Sequence, residues 1–443
     1  MKFKKFGKAL LMSALSAGII LSVTSCVESY TVGFLYVTGT VTSQSGGDGI
    51  ISGYRIDHNT GKLTAINGLP ISSGGSNPGR AVLITGSRFL YVLNRGVNAQ
   101  GGTTCTTADP CQNSNIEEFA VGGNGILTPQ ETFFTQGSNP FRILADTSGN
   151  YLYVLDHDSP SSAACALALG AAATSCGDIT AFSINQTTGR LQLVVNAQVT
   201  SSSGAALPYF PVPANPIDFV FASNFFLVLS GTPTTRDSVF PYTYSAGTGQ
   251  LTISQNSSQP LNIAQASAIV LGGGLVYVLD NEPITITTGG TFTAGTYSSQ
   301  ILPFSVGTGG ALQAETGGIV PDDASLSNPI YLLVEAKGKF LYVVNQGNNT
   351  NTTNPQSGIA GYVINSPYTL SFIAGEPFGT GAGPQCMIED PSDQFVYEAD
   401  AYDSSIYGRV VDPNSGVLNN LRVGNSFALP GPAAWCLVDG RTS

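Results

Sequence analysis

Charge is scarce in this 443-residue chain: Asp, Glu, Lys and Arg make up 10% of it, against about 25% in an average soluble domain. Basic residues are the fewest. Four of the 17 Lys and Arg fall in the first eight residues, as Lys2, Lys4, Lys5 and Lys8, leaving 13 against 28 acidic residues beyond them. No basic patch remains to neutralise phosphates, so nucleic acid is excluded as a partner. With two histidines, neither near a cysteine, a zinc site is excluded, and no metal or cofactor is expected. Sustained helical periodicity is also missing; the Ala-rich stretch from Ala163 to Ala173 is expected to form a short helix in a loop. Hydrophobic residues stand at an ordinary 42%. The missing charge is therefore replaced by Gly, Ser, Thr, Asn and Gln, which suits strands and tight turns and is poor helix material.

The first residues address compartment. A basic start is followed by an apolar run from Ala9 to Val23, the length of a signal-peptide core and short for a membrane span. The run ends in Val23-Thr24-Ser25-Cys26, similar to the bacterial lipoprotein signal, in which the cysteine is lipidated and the chain is cut before it. The expected organisation is a signal peptide over 1–25, a short linker over 26–33 and one domain over 34–443. The expected location is the cell envelope, with the membrane reached through lipid on Cys26 alone. Six cysteines then remain. An even number in an exported chain reads as disulfides. Cys105 with Cys111 and Cys165 with Cys176 are close pairs in Gly/Ser/Thr/Ala-rich loops, which leaves Cys386 with Cys436.

About 415 residues exceed one ordinary core, and the repeats show how they are organised. An aromatic, β-branched phrase recurs seven times, at Phe34–Val37, Phe89–Val92, Tyr151–Val154, Phe225–Val228, Leu275–Val278, Phe340–Val343 and Phe395–Tyr397. Thirteen residues before its tyrosine stands a proline (Pro78, Pro140, Pro329, Pro384), usually after Asn, with Asn215-Pro216 in the fourth repeat. Proline forces its predecessor out of the α region, so Asn-Pro should end a turn and start an extended segment. Downstream lies a further strand, a Gly turn and a Leu, as in Thr60-Gly61-Lys62-Leu63 and Thr188-Gly189-Arg190-Leu191. The pattern is four antiparallel strands per unit. The first repeat lacks its opening strand, whereas the C-terminus carries an orphan one, Pro432 to Gly440. The two ends are expected to share a blade and close an all-β, seven-bladed β-propeller, a form that leaves few free edges.

The Leu-Tyr-Val-x-Asn/Asp phrases, the Asn-Pro starts and the Thr-Gly-x-Leu turns resemble the lactonase-type seven-bladed propellers, also described as YVTN-repeat proteins. The resemblance implies hydrolysis of a sugar lactone, as in the 6-phosphogluconolactonase-like members. The other reading is a non-catalytic envelope module that binds a protein, a glycan or a small ligand. A monomer is expected, with a small-molecule lactone or carbohydrate as ligand.

Candidate site residues follow from the repeat register. Long insertions (94–114, 156–178, 280–300) share one rim, and a binding site belongs on that face. Two residues past the proline, the inner strands place Arg80, Arg142, Asp218, Ala266, Tyr331 and Cys386 in blades two to seven. Arg80 and Arg142 either hold an anionic ligand bidentately or join Asp218 in a network sealing the channel wall. Asp156-His157-Asp158 contains one of the two histidines, and Asp156 and His157 are candidates for general-base work alongside Asp218. His58 falls in a hairpin on the opposite rim and reads as a solvated surface residue.

Overall fold

The computed structural model describes residues 30–440, except 42–47, 85–87, 202, 233–235, 254–257, 262, 264, 282–283, 287–291, 295–298, 348–355 and 366–367. Cys26 and the N-terminal segment lie outside the described residues. Seven antiparallel sheets make seven blades, each built on four strands in the order in which the chain runs outward; five of them add a short fifth strand, and a separate two-stranded sheet joins Ile284–Ile286 to Phe292–Ala294. The innermost strands are Ala433–Asp439, Pro78–Leu83, Ser138–Ala145, Pro216–Ala222, Ala266–Gly272, Pro329–Val334 and Pro384–Glu389 for blades one to seven. Each touches the next, and the last returns to the first, so the ring is closed. In blade one the C-terminal strand pairs with Thr31–Thr40, setting Leu437 opposite Tyr36 and Trp435 opposite Thr38. The two ends of the chain therefore share a blade.

Every repeat phrase forms the second strand of its blade and is buried throughout or nearly so. Seven hydrophobic clusters fill the gaps between the blades, each drawing residues from two neighbouring sheets. A polar contact recurs beside them. The tyrosine of one phrase donates its hydroxyl to the carbonyl of the turn glycine in the next blade. Tyr36 reaches Gly125 at 2.8 Å, Tyr153 reaches Gly249 at 2.9 Å, and Tyr342 reaches Gly416 at 2.7 Å. Tyr91 reaches Gly189 in the same way. Tyr397 of blade seven reaches Gly61 of blade one at 2.7 Å, across the closing seam. The tyrosine phrase and the Thr-Gly-x-Leu turn are thus two halves of one inter-blade contact.

The loops carry the disulfides Cys105–Cys111 and Cys165–Cys176, and Cys386–Cys436 joins the inner strands of blades seven and one, with Cα atoms 5.8 Å apart. Closing a loop of 50 residues contributes about 4 kcal/mol on a chain-entropy basis. The expected helix is present as α1 (Ser162–Leu169), capped by Ser161. Among the described residues no helix is long and apolar enough to cross a membrane. His58 is half-buried and stacks on Tyr30 with ring centroids 4.4 Å apart, rather than standing free in solvent.

The residue before the strand-opening proline takes the left-handed region: Asn77, Asn139, Asn215 and Asn328 have φ of 52°, 59°, 55° and 58°. Proline disfavours the right-handed helical region for its predecessor, and asparagine tolerates the left-handed one. Blade seven uses Gly383, φ 74°, before Pro384, the other residue that enters this region readily.

Tyr153→Phe removes one inter-blade donor and strands a buried carbonyl, for an expected loss of about 1–3 kcal/mol of unfolding free energy. Equilibrium denaturation of wild type and variant measures it; an unchanged midpoint would show that the contact contributes nothing.

Candidate functional site

The left-handed residue and the proline start a second repeated irregularity. In all seven blades the pairing of first and second strands slips by one residue just after the proline position, between Pro78 and Ala81, Pro140 and Arg142, Pro216 and Asp218, and equivalently in the rest. Such a bulge re-aims side chains that regular alternation would send elsewhere. Here it gathers Trp435, Arg80, Arg142, Asp218 and Tyr331 into one layer across the central channel.

The layer is held by specific contacts. Arg80 grips Asp218 bidentately, Nη1 to Oδ1 at 3.1 Å and Nη2 to Oδ2 at 3.2 Å. Arg142 Nε lies 3.3 Å from the same Oδ1 as an ion pair without hydrogen-bond alignment, and one Nη donates to the Phe141 carbonyl at 3.2 Å. The backbone N–H of Phe219 adds a further bond to Oδ1 at 3.0 Å. The Arg80 guanidinium sits 4.6 Å over the Trp435 ring, and Tyr331 meets that indole edge-on at 5.2 Å. Asp218 is fully buried, whereas the side chains of Arg80 and Arg142 keep 17% and 26% of their exposure, open to the channel.

Above this layer, toward the long-loop rim, lies a vestibule of about 300 Å³, at the lower bound for small-molecule sites. Arg80, Arg95 and Arg142 line it, with Asn77, Gln346 and Gln385 as neutral polar groups and Trp435 and Phe141 as aromatic walls. Nε of Arg95 and Nε of Arg142 have no hydrogen-bond partner. Burial lowers the Arg95 pKa; burial and then the neighbouring Arg80 bring Arg142 to about 10, with Asp218 opposing. Both remain cations at neutral pH. Three guanidiniums and one saturated carboxylate leave the vestibule strongly positive in a chain of net charge −11.

The structure brings together Arg80, Arg142 and Asp218 and leaves the other candidates apart. Both oxygens of Asp218 are occupied by guanidinium groups, leaving none free to take a proton from water. His157 is outside the vestibule lining, bonded through Nδ1 to Asp158 at 3.1 Å and separated from Arg142 by the Phe141 ring, 6.5 Å from its own. Asp156 is fully buried between strands of blade three, accepting from Thr135 at 2.7 Å and Thr180 at 3.2 Å opposite Asp178. Burial raises its pKa to about 7. Cys386 is buried in its disulfide. Ala266 faces Asp280, as each proline faces its own strand end, so the equivalent of Arg80 in blade five is Ala268. The two-residue error arises because blade five has no proline to anchor the count. Arg95 and Trp435 were missed. Arg95 directly follows Asn94, a strand-end position in the repeat, and Trp435 holds the Arg80 position of the blade formed by the C-terminus. Among the described residues no group of three or more His, Cys, Asp or Glu is placed to hold a metal ion.

Residues 34–207 match the family described as "Lactonase, 7-bladed beta-propeller". No curated protein matches the chain. Among solved structures, the periplasmic gluconolactonase of Pseudomonas aeruginosa superposes with TM-score 0.60 at 17% identity, covering 92% of this chain and 98% of that one. A candidate 6-phosphogluconolactonase from Bacteroides uniformis gives 0.59 at 13% identity, covering 92% and 100%. A hypothetical selenium-binding protein from Sulfolobus tokodaii gives 0.58 at 9% identity, covering 94% and 95%. Identities this low establish shared architecture, which hosts many activities. The chain is a seven-bladed β-propeller, and its residues 34–207 are similar to the lactonase propellers.

Proposed function

We propose that the arginine-lined vestibule binds a small anionic sugar lactone, or the sugar acid formed from it, and that the chain is a lactonase-like protein acting on that class. One observation carries the reading: Arg80, Arg95 and Arg142 converge on a monosaccharide-scale cavity, and Asp218, the carboxylate beside them, is already satisfied. Planar guanidiniums match carboxylate and phosphate oxygens. The amides of Asn77, Gln346 and Gln385 suit hydroxyls, and the Trp435 ring offers an apolar face to a sugar. In hydrolysis, water adds to the lactone carbonyl, the developing oxyanion is held by the guanidinium of Arg142 or Arg95, and the ring ester oxygen takes a proton and leaves as the alcohol. The family match over 34–207 supports this chemistry.

A second reading, binding without turnover, is favoured by a different fact. Neither His157 nor Asp156 lines the vestibule and Asp218 is saturated, so among the described residues no side chain there is placed as a general base. In both readings the protein acts in the cell envelope: the basic start, the apolar run and Cys26 support export and lipid anchoring. Cys26→Ser expressed in a bacterial host should move the protein from the membrane fraction to the soluble one; unchanged membrane association would reject the anchor.

The deciding assay is hydrolysis of glucono-δ-lactone and 6-phosphogluconolactone by the purified protein. Arg142→Ala is expected to lower turnover about 100-fold, as for loss of one oxyanion donor, with His157→Ala near wild type. Turnover that survives in Arg142→Ala and disappears in His157→Ala would overturn the assignment. Salt-sensitive binding of sugar acids with no turnover would select the second reading.

A further inference from the structure

The channel has a second cavity that the vestibule chemistry does not use. It lies on the other side of the Arg80–Asp218–Trp435 layer, toward the short-turn rim, and measures about 290 Å³. Its walls are the lower halves of the inner strands, including Val82, Leu144, Phe221, Val270 and Leu271, the last 42% exposed. Among the described lining side chains, Thr147, Tyr331 and Trp435 carry uncharged polar groups, and the one charged group is Arg80. That charge is neutralised by its bidentate pairing with Asp218. The two ends of one channel therefore differ in kind: a cationic, amide-rich vestibule on one side, and a neutral apolar chamber closed by an indole and a phenol ring on the other.

We infer that the chamber at the short-turn rim is a second ligand site, for a neutral apolar molecule the size of two fused rings or a medium aliphatic chain. Size and polarity set that class. An apolar cavity of about 150 Å³ stays dry and takes one benzene, and this one has roughly twice that volume. An anion or cation would lose its hydration without gaining a partner, because the charged wall group is already paired. Burial of apolar area, at roughly 25 cal/mol per Å², supplies the attraction. Trp435 lines both chambers, so one indole touches the ligands of each.

Trp435 is also the one tryptophan in the sequence, which makes the test direct. N-phenyl-1-naphthylamine, a neutral probe of two fused rings and one phenyl ring, is titrated into the full protein while tryptophan is excited and energy transfer to the probe is read. Saturable 1:1 transfer is expected, displaced by 1-octanol and not by octanoate. Val270→Arg should weaken the probe at least about tenfold, while Phe134→Ser, at an exposed apolar groove between the outer strands of blades two and three, should leave it unchanged. Should Val270→Arg not fold, Leu271→Glu at the chamber mouth serves the same purpose. Non-saturable transfer, equal displacement by octanoate, or loss of binding in Phe134→Ser with retention in the chamber variants would overturn the inference. None of these outcomes depends on lactone turnover in the vestibule.

Discussion

At five seams among the described residues a buried tyrosine hydroxyl of one blade reaches a glycine carbonyl of the next, set beside a hydrophobic cluster drawn from both sheets. A carbonyl buried between sheets needs a donor, because leaving it bare costs more than an average hydrogen bond gains. The tyrosine supplies that donor while its ring fills the same gap. The turn must be a glycine in the left-handed region, as Gly61, Gly125, Gly249 and Gly416 are, with φ of 67°, 82°, 68° and 74°. At Gly61 a side chain would also collide with the Phe395 ring of the neighbouring blade, 2.6 Å from a Cβ placed there. Blade four carries Leu227 in place of the tyrosine and keeps the apolar half of the contact alone, inside the cluster shared with blade five.

The same repeat builds the site. A left-handed Asn or Gly precedes the proline in five blades and a bulge follows in all seven, and in five blades the residue after it stands in one layer at the mouth of the channel. With Trp435, Arg80, Arg142, Asp218 and Tyr331 at that position, the ring makes a charged and aromatic diaphragm. The scaffold fixes where those residues stand, and their identities decide the chemistry. A fold shared with proteins described by quite different ligands is consistent with that division.

Architecture was legible because it is periodic. Seven phrases, the split first blade and even cysteines lead from the residues to the closed ring, and the pairing of Tyr36 with Leu437 follows that logic. The Arg80, Arg142 and Asp218 cluster was legible for the same reason, since a register converts spacing into adjacency. What failed was whatever broke the repeat. Blade five has no proline, so its count shifted by two residues to Ala266. Arg95 sits just beyond a strand end, where the chain leaves the register altogether. His157 stood out for rarity, but a strand-end alternation carries its ring toward Asp158 and away from the arginines. Asp156 was attractive as a carboxylate beside an imidazole, and burial opposite Asp178 gives it a structural setting instead.

Two chambers of about 300 and 290 Å³ and of opposite polarity meet at one layer, and the proposed function rests on that difference. A crystal structure of the protein with a bound sugar acid tests this most directly. The account predicts the acid in the upper chamber, its anionic group within hydrogen-bond reach of Arg95 or Arg142 and its ring against Trp435. Density for the acid in the lower chamber, or on the outer face of the blades with the upper chamber holding water alone, would contradict it.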